Sequence, residues 1–192
     1  MIYLIGGAPR VGKSILCQQI SVRLKIGWIS TDLLMHLLRV KDVKGIKTEW
    51  NATPEAITAN AEWFFPCLKQ FIWEVSSLAR SYAIEGVDFL PAQVEQLSTL
   101  YKIHSVFLGC SQMTLERFDR FPGRSSGYSF LPEATRRQFA QDIPLWSEYI
   151  RQEAERFSLH YVDMIGDFHS RLSEADAILT AGAISVGSDS EE

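Results

Sequence analysis

Residues 7–14 read GAPRVGKS and satisfy the pattern G-x-x-x-x-G-K-[ST] at every fixed position. The apolar run IYLI at residues 2–5 precedes them, and an amphipathic helical pattern begins near Lys13. A glycine-rich turn between a strand and a helix brings consecutive backbone N–H groups and the positive end of a helix to one point, which suits an anion such as a phosphate chain. Glycine at positions 7 and 12 permits close backbone approach, Pro9 removes one donor but stiffens the turn, and Lys13 supplies a point charge for the β- and γ-phosphates of a nucleotide. The Ser14 hydroxyl is placed to hold a Mg²⁺ that bridges those phosphates. Gly7, Arg10, Val11, Gly12, Lys13 and Ser14 therefore form the expected phosphate-binding set.

Outward from this turn, short apolar runs alternate with longer amphipathic stretches, the pattern of repeated βα units around a parallel sheet. The reading is an α/β, three-layer fold with a five-stranded parallel sheet. Its strands fall near residues 2–5, 28–30, 82–87, 103–108 and 159–162. Thr53, Pro54 and Glu55 offer a cap, a first-turn proline and an early acid for a long helix running toward Arg80, with Trp63, Phe64, Phe71, Ile72 and Val75 as its packing face. Pro66 is expected to kink or split that helix. Residues 1–180 read as one domain, with mobile segments at 40–50 and 121–131 and a disordered acidic tail at 181–192.

In an open parallel sheet, ligands bind beyond the carboxyl ends of the strands, so acids placed there point into the crevice. Asp32 follows the second strand in WISTDLL, where it is either a proton acceptor that orients an incoming hydroxyl or an acid at a helix start. Glu85 stands within an otherwise apolar strand, with Asp88 slightly beyond. A carboxylate there needs a partner, either a Mg²⁺-bound water or substrate hydroxyl, or neighbouring backbone N–H groups. The stretch LERFDRFPGRSSG carries Arg117, Arg120 and Arg124, with Arg136 and Arg137 soon after. On a lid spanning about 112–131, such arginines suit a transferring phosphoryl group, Arg117 also contacting the nucleotide; otherwise they pair with Glu116 and Asp119 at the surface.

The bulk composition excludes several classes. Among 192 residues, 46% hydrophobic and 22% charged, the formal charge is −4, so there is no broad basic footprint for nucleic acid. The first apolar run is broken by Gly6, Gly7 and Pro9 long before membrane-spanning length and reads as a strand. Cys17, Cys67 and Cys110 lack metal-ligand spacing and read as buried thiols in a reducing, cytoplasmic setting, and the four histidines show no metal spacing either. DMIG at residues 163–166 resembles a GTPase switch motif, but it follows the last strand and no N-K-x-D accompanies it.

Together these landmarks resemble the adenylate-kinase-like branch of P-loop kinases. Closer still, LIGGAPRVGKS, the STD at residues 30–32 and IEGVDFLP at residues 84–91 are similar to 2-phosphoglycerate kinase-type proteins. The resemblance implies ATP as donor, Mg²⁺, a small-molecule phosphate acceptor, and site roles for Lys13, Asp32 and Glu85. Asp88 stands where that pattern has a histidine, and Ile15 stands where many such kinases have a second hydroxyl. The alternative is an ATP-binding regulatory or switch protein with weak ATPase activity.

Overall fold

A computed structural model describes residues 1–40, 52–120 and 130–181. Its strands are β1 (Ile2–Gly7), β2 (Gly27–Ser30), β3 (Tyr82–Glu85), β4 (Ile103–Gly109) and β5 (Tyr161–Asp163). Its helices are α1 (Lys13–Leu24), α2 (Thr31–Val40), α3 (Pro54–Ser77), α4 (Pro91–Ser98), α5 (Leu115–Arg120), α6 (Glu133–Arg156) and α7 (Phe168–Thr180). The strands form one parallel sheet in the order β2-β3-β1-β4-β5. Parallel strands require crossovers that cover the sheet with helices. Here α1 packs with α7 and α4 packs with α6, each pair lying against the sheet.

The central strand β1 is buried at every position, as a strand covered on both faces must be. One apolar cluster joins it to Phe64, Leu68 and Ile72 of α3, Phe107 of β4 and Ile143 of α6. Thr53 caps α3 by accepting from the Ala56 N–H, and Pro54 occupies the first helical position.

The sequence reading and the structure differ at several places: β1 and β4 run on to Gly7 and Gly109, β2 begins at Gly27, and β3 ends at Glu85 and not at Val87. Helix α3 continues through Pro66 without being split, because Phe64, Leu68, Ile72 and Val75 are all buried at helical spacing and tertiary packing outweighs one missing donor. It ends before Arg80, where Ala79 takes φ 52°. β5 begins at Tyr161 and not at Leu159, because the Leu159 N–H still bonds to the Ala154 carbonyl of α6 after Ser158 turns the chain at φ 53°. The expected mobile segments at 40–50 and 121–131 and the tail at 181–192 lie almost wholly outside the described residues.

Phe107 is fully buried beneath Gly6 and meets Phe89 edge-to-face, with ring centroids 6.2 Å apart. It forms part of the floor of the glycine turn. Phe107→Ala should cost about 3 to 5 kcal/mol in urea unfolding; a loss under about 1 kcal/mol would mean that the floor closes without it.

Candidate functional site

Strand register decides which residues meet. Ile5 of β1 lies opposite Glu85 of β3, and Glu85 lies opposite Ser30 of β2. β2 and β3 thus end at one level and β1 runs two residues further, and the residues that follow share one edge of the sheet: the turn at 8–12 after β1, Thr31 with Asp32 after β2, and residues 86–88 after β3.

The turn is built from positive backbone angles, with φ 130° at Gly7, 61° at Arg10 and 101° at Gly12, which precedes α1. At Gly7 a side chain would run into the backbone of Leu108, to whose carbonyl the Ala8 N–H donates at 2.9 Å. Arg10 has no such excuse, since a left-handed angle costs an ordinary residue about 1 to 2 kcal/mol. Its guanidinium donates to the Phe118 carbonyl at 2.9 Å and lies over the Phe118 ring, 4.3 Å from its centroid.

Lys13 is only 6% exposed, and its ammonium donates to the Ala8 carbonyl at 2.5 Å. Burial pushes its pKa below the ordinary lysine range, while Glu85, Asp32 and Asp88 act against that shift. Three carboxylates therefore act through space on one buried cation. A neutral carbonyl is a weak partner for it, and a phosphate oxygen is a stronger one.

Glu85 is 4% exposed and accepts from the Ser14 hydroxyl at 3.0 Å. Its partner is thus a side chain of α1 and not the neighbouring backbone. The Ser14–Glu85 pair joins the two residues that the sequence reading assigned to Mg²⁺. Among the described residues, no group of three or more His, Cys, Asp or Glu side chains could hold a metal. Mg²⁺ ordinarily takes only one or two carboxylates beside substrate phosphates and water; Glu85 would offer one carboxylate and Ser14 a hydroxyl oxygen.

Asp32 is exposed in the first turn of α2, and its N–H donates to the Ser30 hydroxyl at 3.3 Å. It is an acid at a helix start, and it is also among the charges that act on Lys13. Asp88 is half-buried and accepts from the Thr31 hydroxyl at 2.6 Å. Thr31 is fully buried, and Gly86 lies so close to it that a Cβ would strike its hydroxyl. The sequence reading passed over Thr31. Its only signal was a second polar residue beside Asp32 at a strand end, and the contact with Asp88 spans 57 positions.

Of the arginines singled out in the sequence, Arg117, Arg120, Arg136 and Arg137 lie within the described residues. Arg117 donates to the Met164 carbonyl at 2.5 Å, and its N–H bonds to the Thr114 hydroxyl. Helix α5 is anchored on α6 by Phe118, 2% exposed and stacked on Phe139 with ring centroids 6.2 Å apart. In the described part of the expected lid, Arg117 is thus tied down beside β5. Arg136 pairs with Asp119 at 2.5 Å and Arg137 with Glu133 at 2.7 Å, while Arg120 is exposed. Arg124 lies outside the described residues. Of the thiols, Cys17 and Cys110 are buried and Cys67 is half-buried. A groove of about 600 Å³ between the start of α3 and α6 is lined by Thr53, Pro54, Asp142 and Tyr149 and includes none of the residues above.

Known structures agree with this architecture. The fold is that of the P-loop small-molecule kinases. A gluconokinase from Sinorhizobium meliloti 1021 superposes at TM-score 0.52 with 18% identity, over 98% of this chain and 97% of its own. A shikimate kinase from Aquifex aeolicus does so at 0.52 with 14% identity, over 97% and 99%. A dephospho-CoA kinase from Campylobacter jejuni gives 0.51 with 12% identity, over 96% and 98%. No family model matches the sequence, and no curated protein matches it. Among the described residues, no helix is long and apolar enough to cross a membrane.

The buried ammonium sets a testable pH dependence. With its folded pKa below the ordinary 10.5, the unfolded chain binds that proton more tightly, so stability rises as pH climbs from the folded value toward 10.5. Lys13→Met removes the charge and keeps the stem, and it should leave urea stability at pH 7 equal or higher while flattening the alkaline rise. A loss above about 1 kcal/mol would show that the ammonium stabilises the fold.

Proposed function

We propose that the chain transfers the γ-phosphoryl group of ATP to a hydroxyl of a small molecule. The observation that carries this reading is the buried Lys13 ammonium, set after the positive-φ turn and under the charges of Asp32, Glu85 and Asp88, which lie at the same sheet edge. In a phosphoryl transfer the protein mainly positions the reactants and stabilises charge. Backbone N–H groups of Arg10, Val11, Gly12 and Lys13 would cradle the phosphates, with Gly7 giving the close approach. Lys13 would exchange the Ala8 carbonyl for phosphate oxygens. Ser14 and Glu85 would hold Mg²⁺, which neutralises charge on the phosphates when bound. Asp32, exposed at the rim, would orient the acceptor hydroxyl and take its proton. Arg117 lies beside this edge on α5, and with Arg120 and Arg124 it is assigned to the phosphoryl oxygens.

The similarity of three segments to 2-phosphoglycerate kinase-type proteins makes 2-phosphoglycerate the first acceptor to test. Asp88, standing where that pattern has a histidine, counts against it. Gluconate, shikimate and dephospho-CoA, suggested by the names of the structural neighbours, come next.

ADP release should depend on an acceptor when these compounds are screened with ATP and Mg²⁺; release at one rate whatever is added would favour the switch or ATPase reading. Lys13→Ala should weaken ATP binding by about 10- to 100-fold in calorimetry with the fold intact. Undiminished Mg²⁺-dependent binding in that variant would refute the site. Asp32→Asn keeps the shape but cannot take a proton, so ATP affinity should hold while transfer slows by about 10²- to 10⁴-fold. If Asp32→Asn instead melts early or loses ATP affinity in parallel with turnover, Asp32 serves only the start of α2.

A further inference from the structure

Arg10 carries a side chain at a backbone angle, φ 61°, that glycine would adopt without strain. That side chain crosses to a segment 108 positions away: one guanidinium nitrogen donates to the Phe118 carbonyl at 2.9 Å, and the guanidinium plane covers the Phe118 ring at 4.3 Å. Phe118 is fixed in turn, being 2% exposed and stacked on Phe139 of α6. One residue earlier on α5, Arg117 donates to the Met164 carbonyl just beyond β5. Helix α5 is therefore held from two sides, and one of them is the phosphate-binding turn itself.

We propose that Arg10 is a positioning residue that couples the phosphate-binding turn to α5, so that polyphosphate bound in the turn steadies α5. The coupling has a direct physical route. Consecutive backbone N–H groups that close on an anion lose conformational freedom, and the Arg10 backbone is one of them. Its guanidinium is planar and carries five donors, so it keeps the Phe118 carbonyl and the ring face in one rigid geometry, which a lysine ammonium does not reproduce. The sequence places Arg117 on the same short helix, so the coupling also sets where that arginine stands relative to the turn.

The inference rests on the nucleotide reading only for what occupies the turn, and its test separates the two. Backbone amide exchange is followed over residues 115–120 in the full chain, for the native protein, Arg10→Gly and Arg10→Lys, each alone and with Mg²⁺ plus a non-hydrolysable ATP analogue. The affinity of each protein for the analogue is measured first and exchange is compared at saturating analogue, so that a change in affinity is separated from the response of α5.

Without ligand, Arg10→Gly should exchange several-fold faster than the native protein across 115–120 while keeping native exchange in β1 and α1. On adding the analogue, the native protein should slow several-fold at 115–120, Arg10→Gly should not respond there despite binding, and Arg10→Lys should respond partly. An equal response of 115–120 in native and Arg10→Gly proteins overturns the coupling, as does faster exchange there in the native protein on binding, which would mean that phosphate draws Arg10 off Phe118. If the native protein does not bind the analogue, the nucleotide reading fails; the coupling is then decided by the ligand-free comparison, where equal exchange overturns it.

Discussion

Everything at this site depends on the register of three parallel strands, in which Ile5, Glu85 and Ser30 lie opposite one another. Because side chains alternate at every residue of a strand, a slip of one position would turn Glu85 to the other face and remove it from Ser14. The correct register places a glycine turn, a buried carboxylate and a helix start at the same edge. That common edge lets α1 present Ser14 to Glu85, and it lets α2 present Thr31 to Asp88. The apolar burial of β1 across its full length fixes this register, since any slip would expose part of it.

The second organising feature is electrostatic. An ammonium taken out of water is costly unless it is paired and hydrogen-bonded. Lys13 has a backbone carbonyl at bonding distance and three carboxylates in its surroundings, yet burial still dominates its titration. Lys13 is thus a buried cation whose desolvation is only partly offset by the groups around it. Local strain at Arg10 has the same character, since a non-glycine residue keeps a left-handed angle while its side chain is tied to Phe118. Both features place unfavourable energy in the turn that packing elsewhere offsets.

The arginines show how tertiary contacts reassign side chains that look alike in sequence. Arg117 and Arg120 lie three positions apart on one short helix, but Arg117 is drawn to a carbonyl after β5 while Arg120 stays exposed. Arg136, read as part of a basic cluster, is held by Asp119. Spacing along a helix states which residues share a face, and it does not state what the other elements offer to that face.

By itself the sequence determined the α/β class, the five strands, and the turn with Gly7, Gly12, Lys13 and Ser14, because these are local properties: apolar runs of strand length, helix caps and a glycine spacing that few other turns need. It also marked Asp32 and Glu85, since an acid at the end of an apolar strand is conspicuous wherever the strand lies. Only the tertiary structure decided which partner Glu85 takes, that fully buried Thr31 anchors Asp88, and that Arg10 reaches Phe118. It also decided that α3 continues through Pro66 and that Leu159 closes α6 instead of opening β5. The reason is common to all of them. These outcomes are set by contacts between residues far apart in the chain, where sheet order and register choose the neighbours, and no local pattern encodes which strand lies beside which.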